Sequence, residues 1–185
     1  MTAQMADCCK YKRGEYEIIA LSEPIRFLPI EYGLKPQGVM TSCWRGYWCE
    51  YVIERKRLKL DSLHIHTEND IYPDFCGRTV EPEARGVGNG HRKYENVNLP
   101  IPYTGRMLLG DRFIEKYYIH LGYQRAYAYK KLIELVFEDG ILIKTINHSW
   151  KAKRIRKEID EMSDDDFEVD DKHNIRYRHG RLVWK

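Results

Sequence analysis

The stretch "KKLIELVFEDGILIKTIN" at residues 130–147 constrains the fold more than any other part of the chain. Apolar residues alternate on both sides of Asp139-Gly140. A period of two sends one face of a strand to a core and the other to solvent. Both central residues of a type I′ turn need positive φ, which Asp-Gly tolerates. The sequence therefore predicts an antiparallel hairpin here and a sheet as the framework around it.

Other segments fit that framework. "YEIIAL" (16–21) reads as a short strand, and Pro29 and Pro36 exclude a long helix over 25–38. Residues 41–54 are rich in aromatic and β-branched types, and 57–66 alternate. A short polar turn at 54–56 joins the two as a second hairpin. In its second arm the apolar positions are Leu58 and Leu60, then Leu63 and Ile65. Parity flips at Asp61-Ser62, as a β-bulge requires. Residues 73–98 lose periodicity, with four glycines and two prolines, and read as a long loop. Ser149 is placed to cap a helix through residue 162, with Trp150, Ile155, Ile159 and Met162 near one face. "SDDDFEVDD" then breaks the pattern. "IRYRHGRLVW" is either a closing hairpin about His179-Gly180 or a tail. The expected fold is mainly β (α+β), an antiparallel sheet or partly closed barrel with one C-terminal helix. It divides into a β-rich domain, 1–148, and a C-terminal helix with a charged tail, 149–185, packed on it or loosely attached.

A chain of 185 residues buries roughly 70% of its unfolded surface without a disulfide or metal staple. There is no apolar run of membrane-spanning length and no secretory h-region in "MTAQMADCCKYKRG". Five cysteines, Cys8, Cys9, Cys43, Cys49 and Cys76, are an odd set at irregular spacing. Reduced thiols in a cytoplasm are the expected state.

The segment "TSCWRGYWCEYVIERKRLKL" (41–60) concentrates the reactive and aromatic types. On a regular strand, Arg45, Tyr47 and Tyr51 share one face, while Trp44, Trp48 and Val52 share the other. The first set reads as the wall of a binding surface and the second as core, with Trp44 and Trp48 largely buried. Cys43 and Cys49 would lie ~20 Å apart on such a strand, too far to share a zinc ion without a kink at Gly46. His64-x-His66 shares a face, but it is the face opposite Leu63 and Ile65, which solvated histidines also satisfy. No metal and no cofactor is expected. Arg45 beside Cys43 would favour a thiolate, and His120 could serve as its base. "RGVGNGHRK" lacks the Gly-Lys-Ser/Thr ending of a phosphate loop. A net charge of +3 and the absence of any RNP, helix-turn-helix or zinc-finger pattern argue against nucleic acid.

At Thr41, Cys43, Trp44, Arg45, Gly46 and Tyr47, at Thr104 and Gly105, and at Tyr118, His120, Gly122 and Tyr123, the chain resembles a group of bacterial proteins without an established activity. Those carry Thr-x-Cys-Trp-Arg-Gly-Tyr, then a Thr-Gly strand, then Tyr-x-His-(Met/Leu)-Gly-(Phe/Tyr) and an acidic-x-Gly hairpin. Ser42 stands where that pattern has Ala. The resemblance implies a shared fold and assigns no catalytic residue.

The expected function is a cytoplasmic β-rich binding or interaction domain for a small molecule or protein. Its site is placed at Arg45, Tyr47, Tyr118, His120 and Gln124, because ligand sites combine aromatic walls with a few convergent polar groups. One alternative is a small hydrolase or transferase using Cys43 or His120. Another is an inhibitor or immunity-type protein that binds through its charged tail, where five bases in 151–157 precede nine acids in 158–171.

Overall fold

A computed structural model describes residues 2–80 and 91–161, together with the backbone of 167–169 and 175–177. Its strands are β1 (Cys8–Tyr11), β2 (Gly14–Leu21), β3 (Tyr47–Glu54), β4 (Arg57–Ile65), β5 (Arg92–Tyr94), β6 (Leu99–Pro100), β7 (Gly105–Phe113), β8 (Tyr129–Glu138) and β9 (Ile141–Asn147). The helix α1 (Ser149–Glu161) follows, then β10 (Phe167–Val169) and β11 (Ile175–Tyr177).

The predicted hairpin is β8–β9, with Asp139 and Gly140 at φ 46° and 73°. A Cβ at position 140 would meet the Ile101 carbonyl oxygen at 2.4 Å, so glycine is required there twice over. The second hairpin is β3–β4. Asp61 is its unpaired extra residue, because Glu50 pairs with Ser62 and Tyr51 with Leu60. The bulge read from the parity flip is therefore present. Leu58, Leu60, Leu63 and Ile65 all reach the core.

Seven strands close a ring in the order β3-β1-β2-β7-β8-β9-β4, with β4 returning to β3. The short strands β5 and β6 both pair with β4. The fold is mainly β with one C-terminal helix, as the sequence predicts, but the sheet is mixed rather than wholly antiparallel. β1 and β3 are parallel, Cys8 opposite Glu50. The reason is the connection 22–46, which carries the chain from the end of β2 past β1 before β3 begins. Phe27, Pro29 and Leu34 bury that connection. Between β4 and β9 the ring is joined by a single residue pair, Arg57 with Ile141.

Inside the ring, Cys9, Ile18, Cys49, Tyr51, Leu60, Met107, Leu109, Leu135 and Phe137 form one core. Outside it, Leu108, Tyr129 and Leu132 meet Ala152 of α1 in a second, smaller cluster. Ala152 and Ile155 are the buried residues of the helix. Trp150, expected on that face, is instead 59% exposed, with the Arg154 guanidinium 5.7 Å from its ring centroid. The cap also differs from expectation. Asn147 Oδ1 accepts the Ser149 N–H at 2.9 Å, while Ser149 Oγ accepts the Leu132 N–H at 3.0 Å. Ser149 thus ties the helix to β8 instead of capping it. Arg156 Nη1 adds bonds to the carbonyls of Tyr127 and Tyr129 at 2.8 and 2.7 Å.

Within the stretch read as a long loop, Arg92–Tyr94 is a strand; three residues are too few to show a period. The Gly-rich residues 85–90 lie outside the described residues. Ile175–Tyr177 pairs antiparallel with Phe167–Val169, which lies within the stretch where the sequence pattern breaks. His179-Gly180 and Met162 lie outside the described residues. No helix among the described residues is long and apolar enough to cross a membrane.

Candidate functional site

Strand β3 starts at Tyr47, not at Thr41, and within it the Tyr51 side, not the Trp48 side, faces the core. Residues 40–46 form consecutive turns, with N–H to carbonyl bonds from Cys43 to Met40 and from Gly46 to Cys43, each 3.1 Å. Gly46 sits at φ 76°, where a Cβ would strike the Gln37 backbone at 2.5 Å. The turn is therefore dictated by close approach of the preceding connection. From Tyr47 onward, Cys49 and Tyr51 point into the core and Trp48 and Glu50 point out. Trp44 is 59% exposed. Trp48 is half-buried, its indole stacked on His64 with centroids 4.4 Å apart.

Arg45 is a clamp. Its Nε donates to the Tyr47 carbonyl at 2.7 Å, Nη1 donates to Asp7 Oδ2 at 3.1 Å, and Nη2 donates to Asp7 Oδ1. Asp7 Oδ1 also accepts the Cys49 N–H at 2.7 Å. Burial opposes the guanidinium charge, but the Asp7 carboxylate outweighs it and the pKa is raised. The guanidinium lies 4.8 Å from the Tyr47 ring centroid. Arg45 therefore locks the N-terminal segment to the start of β3.

Tyr118, His120 and Gln124 belong to the connection between β7 and β8, not to a strand. Gln124 closes that loop, accepting from the Ile119 N–H at 3.0 Å and donating to the Ile119 carbonyl at 2.8 Å. Its amide is spent on the backbone. Tyr118 and His120 stand edge to face, centroids 4.9 Å apart, both exposed.

The two loops meet across residues 3–7. Gln4 donates its N–H to the Gly122 carbonyl, its side-chain amide to the Thr41 carbonyl, and accepts the Trp44 N–H. Around this junction Trp44, Tyr118, Leu121 and Tyr123 are all exposed. The structure thus brings together, through Gln4, the two segments that the sequence singled out, and exposes aromatic side chains on both. Two clefts in the surface, one lined by Tyr11 and Thr145 and one by Glu17 and Tyr129, include none of the five predicted site residues. Leu121 was not singled out, Tyr123 entered only through the resemblance, and Trp44 was assigned to the core. The glycines flanking both aromatic runs, Gly46 and Gly122, were the available signal for loops.

Cys43 is 3% exposed and its thiol is directed to the Tyr47 carbonyl at 3.5 Å. Burial raises its pKa against the opposing pull of Arg45. A buried thiol tied to a backbone carbonyl, with His120 on an exposed loop, does not form the nucleophile–base pair of the enzyme alternative. His64 is held by Glu50, Nε2 to Oε1 at 2.7 Å, beneath Trp48. His66 and His91 have centroids 6.1 Å apart. Among the described residues, no three His, Cys, Asp or Glu side chains are grouped to hold a metal ion.

No protein-family model, curated protein or solved structure matches the chain. The resemblance to the bacterial group therefore carries no argument beyond its own segments.

Proposed function

We propose that the chain is a cytoplasmic binding domain that recognises a protein partner through the loop pair 40–46 and 118–125. The observation that supports this reading is the exposure of Trp44, Tyr118, Leu121 and Tyr123 on loops fastened to one another through Gln4. Large apolar side chains scattered singly need no explanation, but a group of them on one junction marks an interaction site. Trp and Tyr are the types that carry most of the energy at protein interfaces. The Arg45–Asp7 clamp and the Gln124–Ile119 closure hold the loops in shape, which lowers the ordering cost of binding.

The test is affinity capture from the source cells with wild type and with a Trp44→Ser/Leu121→Ser double variant of matching melting temperature. Wild type should retain a partner that the variant loses. Equal retention by both sinks the reading.

A further inference from the structure

Two hairpin turns and the middle of β9 border an open cleft of about 410 Å³. Its apolar wall is Ile53, Leu142 and Ile143, and three lysines surround it: Lys12 after β1, Lys56 before β4 and Lys144 on β9. No acidic residue lines it. This volume falls within the range of small-ligand sites.

Two independent features show that the cleft is built. The first is backbone conformation. Lys12 and Lys56 hold φ of 56° and 66°, a region that Gly, Asn or Asp usually occupies. The conformation is that of the two-residue hairpin turns they occupy; the departure is that lysine stands where Gly or Asn fits with less strain. Both residues line the same cleft, with Lys12 Nζ 5.2 Å from the centroid of the Tyr11 ring. The second is the break in β9. Pairing with β8 shifts between Val136–Lys144 and Phe137–Leu142, leaving Ile143 as an extra residue. Bulges re-aim side chains beside functional sites. Here the bulge falls where β9, after its one pair with β4, is free of that neighbour. Two residues of its lining, Tyr11 and Thr145, have hydroxyls that meet at 3.0 Å.

We propose that this cleft binds a small anion that carries an apolar chain. A carboxylate or phosphate head sits among Lys12, Lys56 and Lys144, and the chain lies on Ile53, Leu142 and Ile143. The cleft shares no residue with the aromatic loop pair, so the two sites stand or fall separately.

Calorimetric titration at low ionic strength with octanoate, octyl phosphate, 1-octanol and inorganic phosphate tests this. At least one chain-bearing anion should bind with one-to-one stoichiometry, about tenfold or more tighter than octanol and inorganic phosphate. The better of the two identifies the head group. A Lys12→Gly/Lys56→Gly variant relieves both positive-φ positions, so it should melt no lower than wild type yet bind at least about tenfold more weakly. Lys144→Gln, which leaves both turns untouched, should weaken binding in the same direction. The proposal is overturned if neither chain-bearing anion binds, if inorganic phosphate binds as tightly as octyl phosphate, or if the lysine variants bind as wild type does.

Discussion

His148 and Glu134 meet Nε2 to Oε2 at 2.8 Å, with both side chains less than a tenth exposed. The pair joins the residue that precedes α1 to the outer face of β8. The Arg106 guanidinium, 3.7 Å from Glu134 Oε1, is the neighbouring charge. His148→Ala should cost about 2–4 kcal/mol in urea unfolding, because the carboxylate stays buried without its imidazole. The double variant His148→Leu/Glu134→Leu should recover much of that loss. A single variant as stable as wild type would show the pair to be solvated.

Glu50 sets an acid limit. The His64 hydrogen bond, helped by Lys93 and Lys10, lowers its pKa from 4.5 to about 2 against the effect of burial. A depressed carboxylate pKa contributes stability above the unfolded value and loses it as pH falls through the folded one. Stability should therefore decline between about pH 5 and pH 2, with a Glu50 share on the order of 2 kcal/mol after solvent screening. Glu50→Gln should be less stable at pH 7 and show a flatter acid limb in chemical denaturation. An unchanged limb would remove Glu50 from the account.

Removing the Asp7–Arg45 clamp should destabilise the fold. Asp7→Ala takes away a bidentate partner and strands the Cys49 N–H, for an expected loss of about 2–3 kcal/mol. Arg45→Lys should rescue little, because an ammonium cannot present the same fork. Urea midpoints that rank Lys equal to Arg would refute the bidentate role.

The β3–β4 turn is strained, with Arg55 and Lys56 at φ 47° and 66°. Asn-Gly is the pair this turn type favours. Arg55→Asn/Lys56→Gly should raise stability by about 1 kcal/mol, visible as a higher melting temperature. A lower one would mean that the side chains make contacts that outweigh the backbone strain.

Legibility in the sequence followed the range of the interaction. Asp139-Gly140 and the parity flip at Asp61 are signals confined to neighbouring residues, and both elements formed. The start of β3 was not legible. Cys43, Trp44 and Arg45 have strand-like composition, yet the Gln37 backbone crosses against Gly46 and forces a turn. The faces of β3 were a separate matter: Trp48 and Tyr51 lie on opposite sides as their parity requires, but alternation alone does not say which side meets the core, and it is the side of Cys49 and Tyr51. Arg45 was recognisable as a polar group in an aromatic segment, but its partner Asp7 lies 38 residues away with no local mark. The lysine cleft left a faint trace. "YKRGEY" and "ERKR" put cations where hairpin turns usually carry Asn or Gly.

The ring closes on one residue pair, Arg57 with Ile141, and this bears on how the chain reaches its fold. Neighbouring hairpins such as β3–β4 and β8–β9 can assemble from local contacts within microseconds. Joining them requires a search across more than eighty residues, and its entropic cost falls due before the joint returns any energy. Acquisition of the native state should therefore be slow, on the order of milliseconds to seconds. The same joint should be the first to open, so amide deuteration ought to enter the closed ring there, at the Leu58 and Leu142 N–H groups that bond the Gly140 and Lys56 carbonyls across it, ahead of the interior of β7.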